Sequence, residues 1–243
     1  MNHIIETFIA SKKVSLNTQK SYRYDLQQFI EQTVAIINQH TLSLYQQSLL
    51  QLKPAAQRRK RSTVNQFLYF LYENGQLERF YKLPAVTPVI NVKKQFQKEE
   101  MSILFEETVF LDGQLIALLI AHLGLTPSEI AGLMIEQVNI EFQVLTVQRG
   151  SSRRVLGLPK EIIPYLNNRL TGYYLFDKNG KSYSRQWFFN RLTEYVQSIE
   201  KIEWTAQKLR EQYILGQLEQ GQSLEHIAKQ LGLKTMVSLE KFR

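Results

Sequence analysis

The chain has 243 residues, a formal net charge of +8 at pH 7, 44% hydrophobic and 21% charged residues, and no cysteine. This length and apolar content suffice for one large or two small folded domains and exclude a disordered chain. The missing cysteines exclude a disulfide scaffold, cysteine-ligated zinc, an iron–sulfur site and thiol catalysis, and they suit a reducing compartment.

Glu6 interrupts the short apolar run at the start and no basic region precedes it, so no signal peptide is expected. No stretch approaches the ~18 unbroken apolar residues of a membrane span. The expectation is a cytoplasmic protein with no membrane partner.

Residues 1–82 read as helices. Tyr22, Leu26, Phe29 and Ile30 share one face of a helix that starts near Ser15 or Asn17, both good N-caps. Val64, Phe67, Leu68 and Leu71 make the same stripe on a helix from about Ala55 that stops at Asn74-Gly75. Its first turns carry Arg58, Arg59, Lys60 and Arg61, which are expected on its exposed end. From Met1 to Ile90, 11 Lys/Arg stand against 5 Asp/Glu; from Asn91 onward the count is 19 against 17. A basic face concentrated in one half is the electrostatic footprint of a polyanion binder. A solvated helix face would look the same.

Residues 84–98 read as a linker, broken by Pro84 and Pro88 and made basic by Lys93, Lys94 and Lys98. Beyond it, Leu115 to Leu123 is apolar nearly all round, as in a buried helix, and Pro127-Ser128-Glu129-Ile130 opens another. Residues 142–147 and 154–158 alternate like two strands joined by a turn at 150–152. Helices follow at about 160–170, 184–200, 205–219 and 223–231.

Several local motifs occur in a fixed order. The first half has Asn17-Thr18, Ser21-Tyr22, Asp25-Leu26 and Phe29, then Arg61-Ser62 before Phe67 to Leu71. The second half has Gly124-Leu125-Thr126-Pro127-Ser128-Glu129-Ile130, then Gln148-Arg149-Gly150 before Arg154. Gln207-Lys208-Leu209-Arg210-Glu211 and Leu231-Gly232-Leu233 complete the series. Together they resemble the tyrosine recombinase (phage integrase) family, specifically its short XerD-like members, over nearly the whole chain. The resemblance implies a mainly α fold with a small β-sheet. A helical core-binding (SAM-like) domain at 1–83 and a recombinase catalytic-fold domain at 99–243 would clamp double-stranded DNA.

In that family a tyrosine attacks the backbone phosphate without a metal. Two arginines stabilise phosphoryl charge, a lysine protonates the leaving oxygen, and histidines assist proton transfer. At the corresponding positions this chain has Thr126 for the first arginine, Arg149 for the lysine, Gln207 and Leu233 for histidines, and Phe242 for the nucleophile; Arg210 is retained. Threonine cannot form a bidentate guanidinium clamp, arginine is a poor proton donor, and phenylalanine has no oxygen to attack with. Tyr213 lies near Arg210, but beside Ile214-Leu215 it reads as a core tyrosine. The expectation is a DNA-binding recombinase fold that has lost strand cleavage. Candidate DNA contacts are Arg58, Arg59, Arg61, Lys93, Lys94, Arg149, Arg153, Arg154 and Arg210. The three hairpin arginines also fit a solvated rim, and Arg210 an ion pair with Glu129.

Two alternatives remain at this point. Leu224 to Thr235 resembles a helix-turn-helix, with Lys234, Thr235, Ser238 and Lys241 facing a major groove. The chain also fits a non-catalytic partner of an active recombinase subunit. Family members continue into a helix that docks on a neighbour, whereas Arg243 follows position 242 directly, so that contact is not expected. His3, His40, His122 and His226 show no metal-ligand spacing, Glu99-Glu100 and Glu106-Glu107 have no motif around them, and no glycine-rich phosphate loop occurs. No metal, nucleotide or other cofactor is expected.

Overall fold

In the computed structural model, which describes residues 1–85, 96–150, 152–167 and 169–242, the chain forms two compact units, Met1–Lys93 and Lys94–Arg243. Among the described residues, no helix is long and apolar enough to cross a membrane.

The first unit is four helices: α1 (Asn2–Ala10), α2 (Leu16–Gln32), α3 (Gln39–Leu49) and α4 (Pro54–Glu73). The Ser15 hydroxyl accepts the Thr18 amide hydrogen, which makes Ser15 the N-cap of α2. Leu26 and Phe29 of α2 and Val64, Phe67, Leu68 and Leu71 of α4 are buried, with Tyr22 and Ile30 packed at the edge of the same core. The helix α4 ends where the sequence predicts. Gly75 takes φ +67°, its amide bonds the Tyr72 carbonyl, and Gln76 bonds the Leu71 carbonyl.

The basic end of α4 differs from the sequence expectation. Lys60 and Arg61 are only 7% and 6% exposed. Asp25, fully buried on α2, accepts from Lys60 Nζ at 3.0 Å and from Arg59 Nη2 at 2.9 Å. Arg61 Nη1 donates to the Pro84 carbonyl at 2.8 Å, because residues 83–84 fold back over α4 and Leu83 joins the core. A buried carboxylate needs its cations, so part of the basic block serves the fold.

The second unit is built on α5 (Leu111–Leu123), buried nearly all round as its composition predicts. It packs against α8 (Arg185–Ser198) and α9 (Ala206–Glu219). Its close approach to α8 occurs at Gly113, where a Cβ would lie 2.3 Å from the Arg191 carbonyl oxygen. The short helix α6 (Pro127–Ala131) leads to an antiparallel sheet, β1 (Val138–Asn139), β2 (Val144–Arg149) and β3 (Ser152–Gly157), in that spatial order. Register runs from Val144 opposite Gly157 to Arg149 opposite Ser152. The two-residue strand β1 is too short to leave an alternating pattern in the sequence. Next come a 3-10 turn at Lys160–Ile162 and α7 (Ile163–Asn167), in place of one predicted helix over 160–170. Pro164 occupies the start of that helix, a position that needs no amide donor.

After α9, α10 (Leu224–Gln230) ends at Gly232, which takes φ +64°. The Gly232 amide bonds the Lys229 carbonyl and the Leu233 amide bonds the Ala228 carbonyl, closing the helix in a Schellman turn. The chain then folds back, burying Leu239, and finishes in a 3-10 turn at Glu240–Phe242. Among the described residues no recognition helix follows Gly232, so the helix-turn-helix alternative lacks its reading element.

Candidate functional site

The family motif positions converge. Thr126 precedes α6, Gln207 and Arg210 lie on α9, Leu233 follows α10, and Phe242 closes the terminal 3-10 turn; all five line one cleft of about 490 Å³. Arg149, the sixth position, ends β2 opposite Ser152. Four further cleft residues were not singled out by the sequence as parts of this site: Glu211, Arg185, Ser238 and Lys241.

Four of the five substituted positions, all but Arg149, have a structural occupation. Thr126 is the N-cap of α6. Its hydroxyl accepts the Glu129 amide hydrogen, while Glu129 Oε2 accepts from the Thr126 amide and hydroxyl at 2.8 Å. This is a capping box, with Pro127 in the first turn. Leu233 contributes the Schellman amide and packs on the Tyr213, Ile227 and Leu231 cluster. The Phe242 ring joins that cluster and meets the Phe96 ring at 4.4 Å, tilted by 43°. Gln207 Nε2 donates to Glu211 Oε1 at 3.1 Å.

Arg154, expected at a DNA phosphate, is turned inward. Side chains alternate along β3: Arg153 and Val155 face outward, and Arg154 and Leu156 face the fold. Arg154 Nη1 donates to Glu129 Oε1 at 2.8 Å, in a pair whose side chains are 11% and 4% exposed. Arg154 Nε and Nη2 are buried with no hydrogen-bond partner among the described residues. Burial pushes the Glu129 carboxyl up, but Arg154 and Thr126 outweigh it and hold the group below its ordinary 4.5. Arg154 is thus the cation that engages Glu129, while Arg210 donates from Nη2 to the Leu231 carbonyl at 3.1 Å.

Tyr213 is a core residue, 8% exposed, and burial pushes its phenol above the ordinary range. Arg58, Arg59 and Arg153 are exposed. Lys93 and Lys94 lie outside the described residues. The sequence also left unnoticed a basic rim, made of Lys178 and Lys181 on a turn bridged from Asp177 to Ser182, and Arg185 at the start of α8. Its signal was the Asp-Lys-Asn-Gly-Lys run at 177–181, a hairpin turn with two cations.

One titratable group outside the cleft sets an acid dependence. His122 on α5 meets the Phe105 ring edge-on at 5.2 Å, and its buried Nε2 has no hydrogen-bond partner among the described residues. Burial pulls its pKa below 6.5, partly opposed by Glu161. A base whose folded pKa is depressed takes its proton more readily when unfolded, so stability is full above 6.5 and falls as pH drops through that value. The Glu129 contribution is present above 4.5 and is lost as pH falls through its lower folded value. The chain is expected to melt lower at pH 5.5 than at pH 7.5, and His122→Leu to narrow that difference in a thermal scan.

Compared with solved structures, the fold is that of the tyrosine recombinases and integrases. The Tn1549 transposon integrase in complex with transposon right end DNA matches with a TM-score of 0.76 and 13% identity, over 99% of this chain and 93% of that one. The XerH site-specific recombinase bound to its difH substrate matches with a TM-score of 0.72 and 14% identity, over 100% and 81%. No family model matches the chain. Full-length relatives are much more similar in sequence. The tyrosine recombinase XerD-like protein of Streptococcus suis (strain 05ZYH33) is 65% identical over 243 residues, all of both chains. That of Streptococcus mutans is 47% identical over 244 aligned positions, covering 98% of this chain and 97% of the relative. The chain belongs to the XerD-like tyrosine recombinase family.

Proposed function

We propose that this protein binds duplex DNA with the recombinase fold and does not cut and rejoin it by the family mechanism. The observation that carries this reading is the content of the cleft. The five family positions that line it hold Thr126, Gln207, Arg210, Leu233 and Phe242. A ring without an oxygen stands at the nucleophile position and packs on Phe96. One phosphate-type arginine remains where the family uses two, and loss of such a stabilising donor costs about 3 kcal/mol of transition-state stabilisation.

DNA binding is supported by exposed cations on both units: Arg58 and Arg59 on the first, and Arg153, Lys178 and Lys181 on the second. These are phosphate-type contacts that position a protein without reading sequence. Arg61 and Arg154 are left out because their side chains are buried and engaged inside the fold, whereas Arg59 is half-exposed although one of its nitrogens pairs with Asp25. The domain arrangement that goes with this function is a core-binding domain at 1–83, a linker at 84–98 and a catalytic-fold domain at 99–243.

A salt titration on random duplex DNA tests the binding. Log K is expected to fall linearly with log salt, and each of Arg58→Ala, Arg153→Ala and Lys178→Ala to reduce the slope by about one. No binding at low salt would overturn the DNA assignment and favour a protein partner. Phe242→Tyr tests the lost cleavage. Alone it is expected to give no covalent protein–DNA adduct, because positions 126, 207 and 233 still lack their groups; an adduct on denaturing gels would refute the loss of cleavage.

A further inference from the structure

The cleft that holds the family positions contains a carboxylate. Glu211 is one residue after Arg210 and four after Gln207 on α9, so it shares the cleft-facing side with Gln207. It is 6% exposed. Its Oε1 accepts from Gln207 Nε2 at 3.1 Å and lies 3.6 Å from Lys241 Nζ. Lys241 is in turn held over the rings of Phe96 and Phe242, at 5.2 and 4.8 Å. Among the described residues, the cleft is lined by the cations Arg185, Arg210 and Lys241 and by one carboxylate, Glu211.

A site for a phosphodiester needs cations facing an open anion position. Here the charge of Lys241 is committed to a group inside the protein. An external phosphate entering the cleft beside half-exposed Lys241 would meet the buried Glu211 carboxylate, and like charges held close repel. Reopening that position takes no change of fold, only removal of one negative charge.

We propose that Glu211 is the resident anion of the cleft: paired with Lys241, it occupies the place of a phosphate and excludes external phosphate from the position beside Lys241. This rests on reading the cleft as the family's chemistry site and does not depend on DNA binding elsewhere on the molecule.

The test is isothermal titration of inorganic phosphate into the full chain in a phosphate-free, low-salt buffer. Glu211→Gln keeps the shape and the Gln207 contact while removing the charge. It is expected to bind phosphate about tenfold or more tightly than the unsubstituted protein. Adding Lys241→Gln to it is expected to abolish the gain. Exposed Glu225→Gln, which changes net charge equally outside the cleft, is expected to gain nothing. If Glu211→Gln melts early, Glu211→Ser carries the same comparison. Equal phosphate affinity in the unsubstituted protein and the Glu211 variant overturns the proposal, as does an equal gain from Glu225→Gln. DNA titrations run in parallel separate the two readings. A phosphate gain without DNA binding by the unsubstituted protein removes the DNA assignment and keeps Glu211, whereas DNA binding without a phosphate gain does the reverse.

Discussion

Arg154→Ala is expected to destabilise the chain by about 3–5 kcal/mol. The cause is the partner left behind. Glu129 has a side chain only 4% exposed, and Arg154 Nη1 is the cation at 2.8 Å from its carboxylate. Truncating Arg154 removes that cation and leaves the buried charge with the Thr126 donors. The contrast with its neighbour makes the prediction specific. Arg153 is exposed on the opposite face of β3, so Arg153→Ala should leave the melting temperature nearly unchanged while lowering the salt slope of DNA binding. Urea denaturation and DNA titration of the two variants give opposite patterns if Arg154 serves the fold; a stable Arg154→Ala protein with weakened DNA binding would return that arginine to the DNA surface. Replacing both partners, Arg154→Met with Glu129→Leu, should recover much of the loss. The pair is under-satisfied, with two buried guanidinium nitrogens lacking hydrogen bonds, and apolar replacement of a buried pair is often neutral.

Gly113→Ala is expected to cost about 3 kcal/mol, the upper end for overpacking. Its Cβ would sit 2.3 Å from the Arg191 carbonyl oxygen and 2.4 Å from the Tyr195 Cβ. Neither obstacle is the free end of a flexible side chain, so α5 and α8 must move apart. They cannot do so locally, because Tyr195 and Phe188 of α8 and Ile116 and Leu119 of α5 are buried in one core. An alanine at Gly216, where nothing lies within 4 Å, is the matched control and should be neutral or slightly stabilising through helix propensity. Paired thermal melts of the two variants measure the effect.

Much of the fold was legible in the sequence where the determinants are local. The α4 stop needs only Asn74-Gly75, α5 declares itself by an unbroken apolar run, and the β2–β3 hairpin by alternation around Gly150. The inward turn of Lys60 and Arg61 was not legible, since their acceptors, Asp25 and the Pro84 carbonyl, lie 35 and 23 residues away. The same holds for Arg154, whose partner Glu129 is 25 residues distant and faces it only once the sheet forms. In the candidate site, motif order singled out Thr126, Gln207, Arg210, Leu233 and Phe242, and in the structure these five line one cleft. It gave no hint of Glu211 against Lys241, because that contact depends on how the terminal turn folds back over α9. Lys241 looked like a groove-facing residue in the helix-turn-helix pattern for the same reason.

The capping box at Thr126 has a consequence for the history of such a chain. On the proposed reading, the residue that stands where the family has an arginine is now a structural part of α6. Installing arginine there would remove the hydroxyl that accepts the Glu129 amide hydrogen, at about 1 kcal/mol for a lost N-cap. It would also set a second guanidinium beside a carboxylate that Arg154 already holds. Leu233 poses a similar obstacle through its side chain, which packs on the Tyr213, Ile227 and Leu231 cluster, whereas a tyrosine at 242 would keep the ring that meets Phe96. On that reading, the steps back at positions 126 and 233 loosen the fold before they restore any chemistry, and the loss behaves as a ratchet: selection for stability alone holds those two positions as they are.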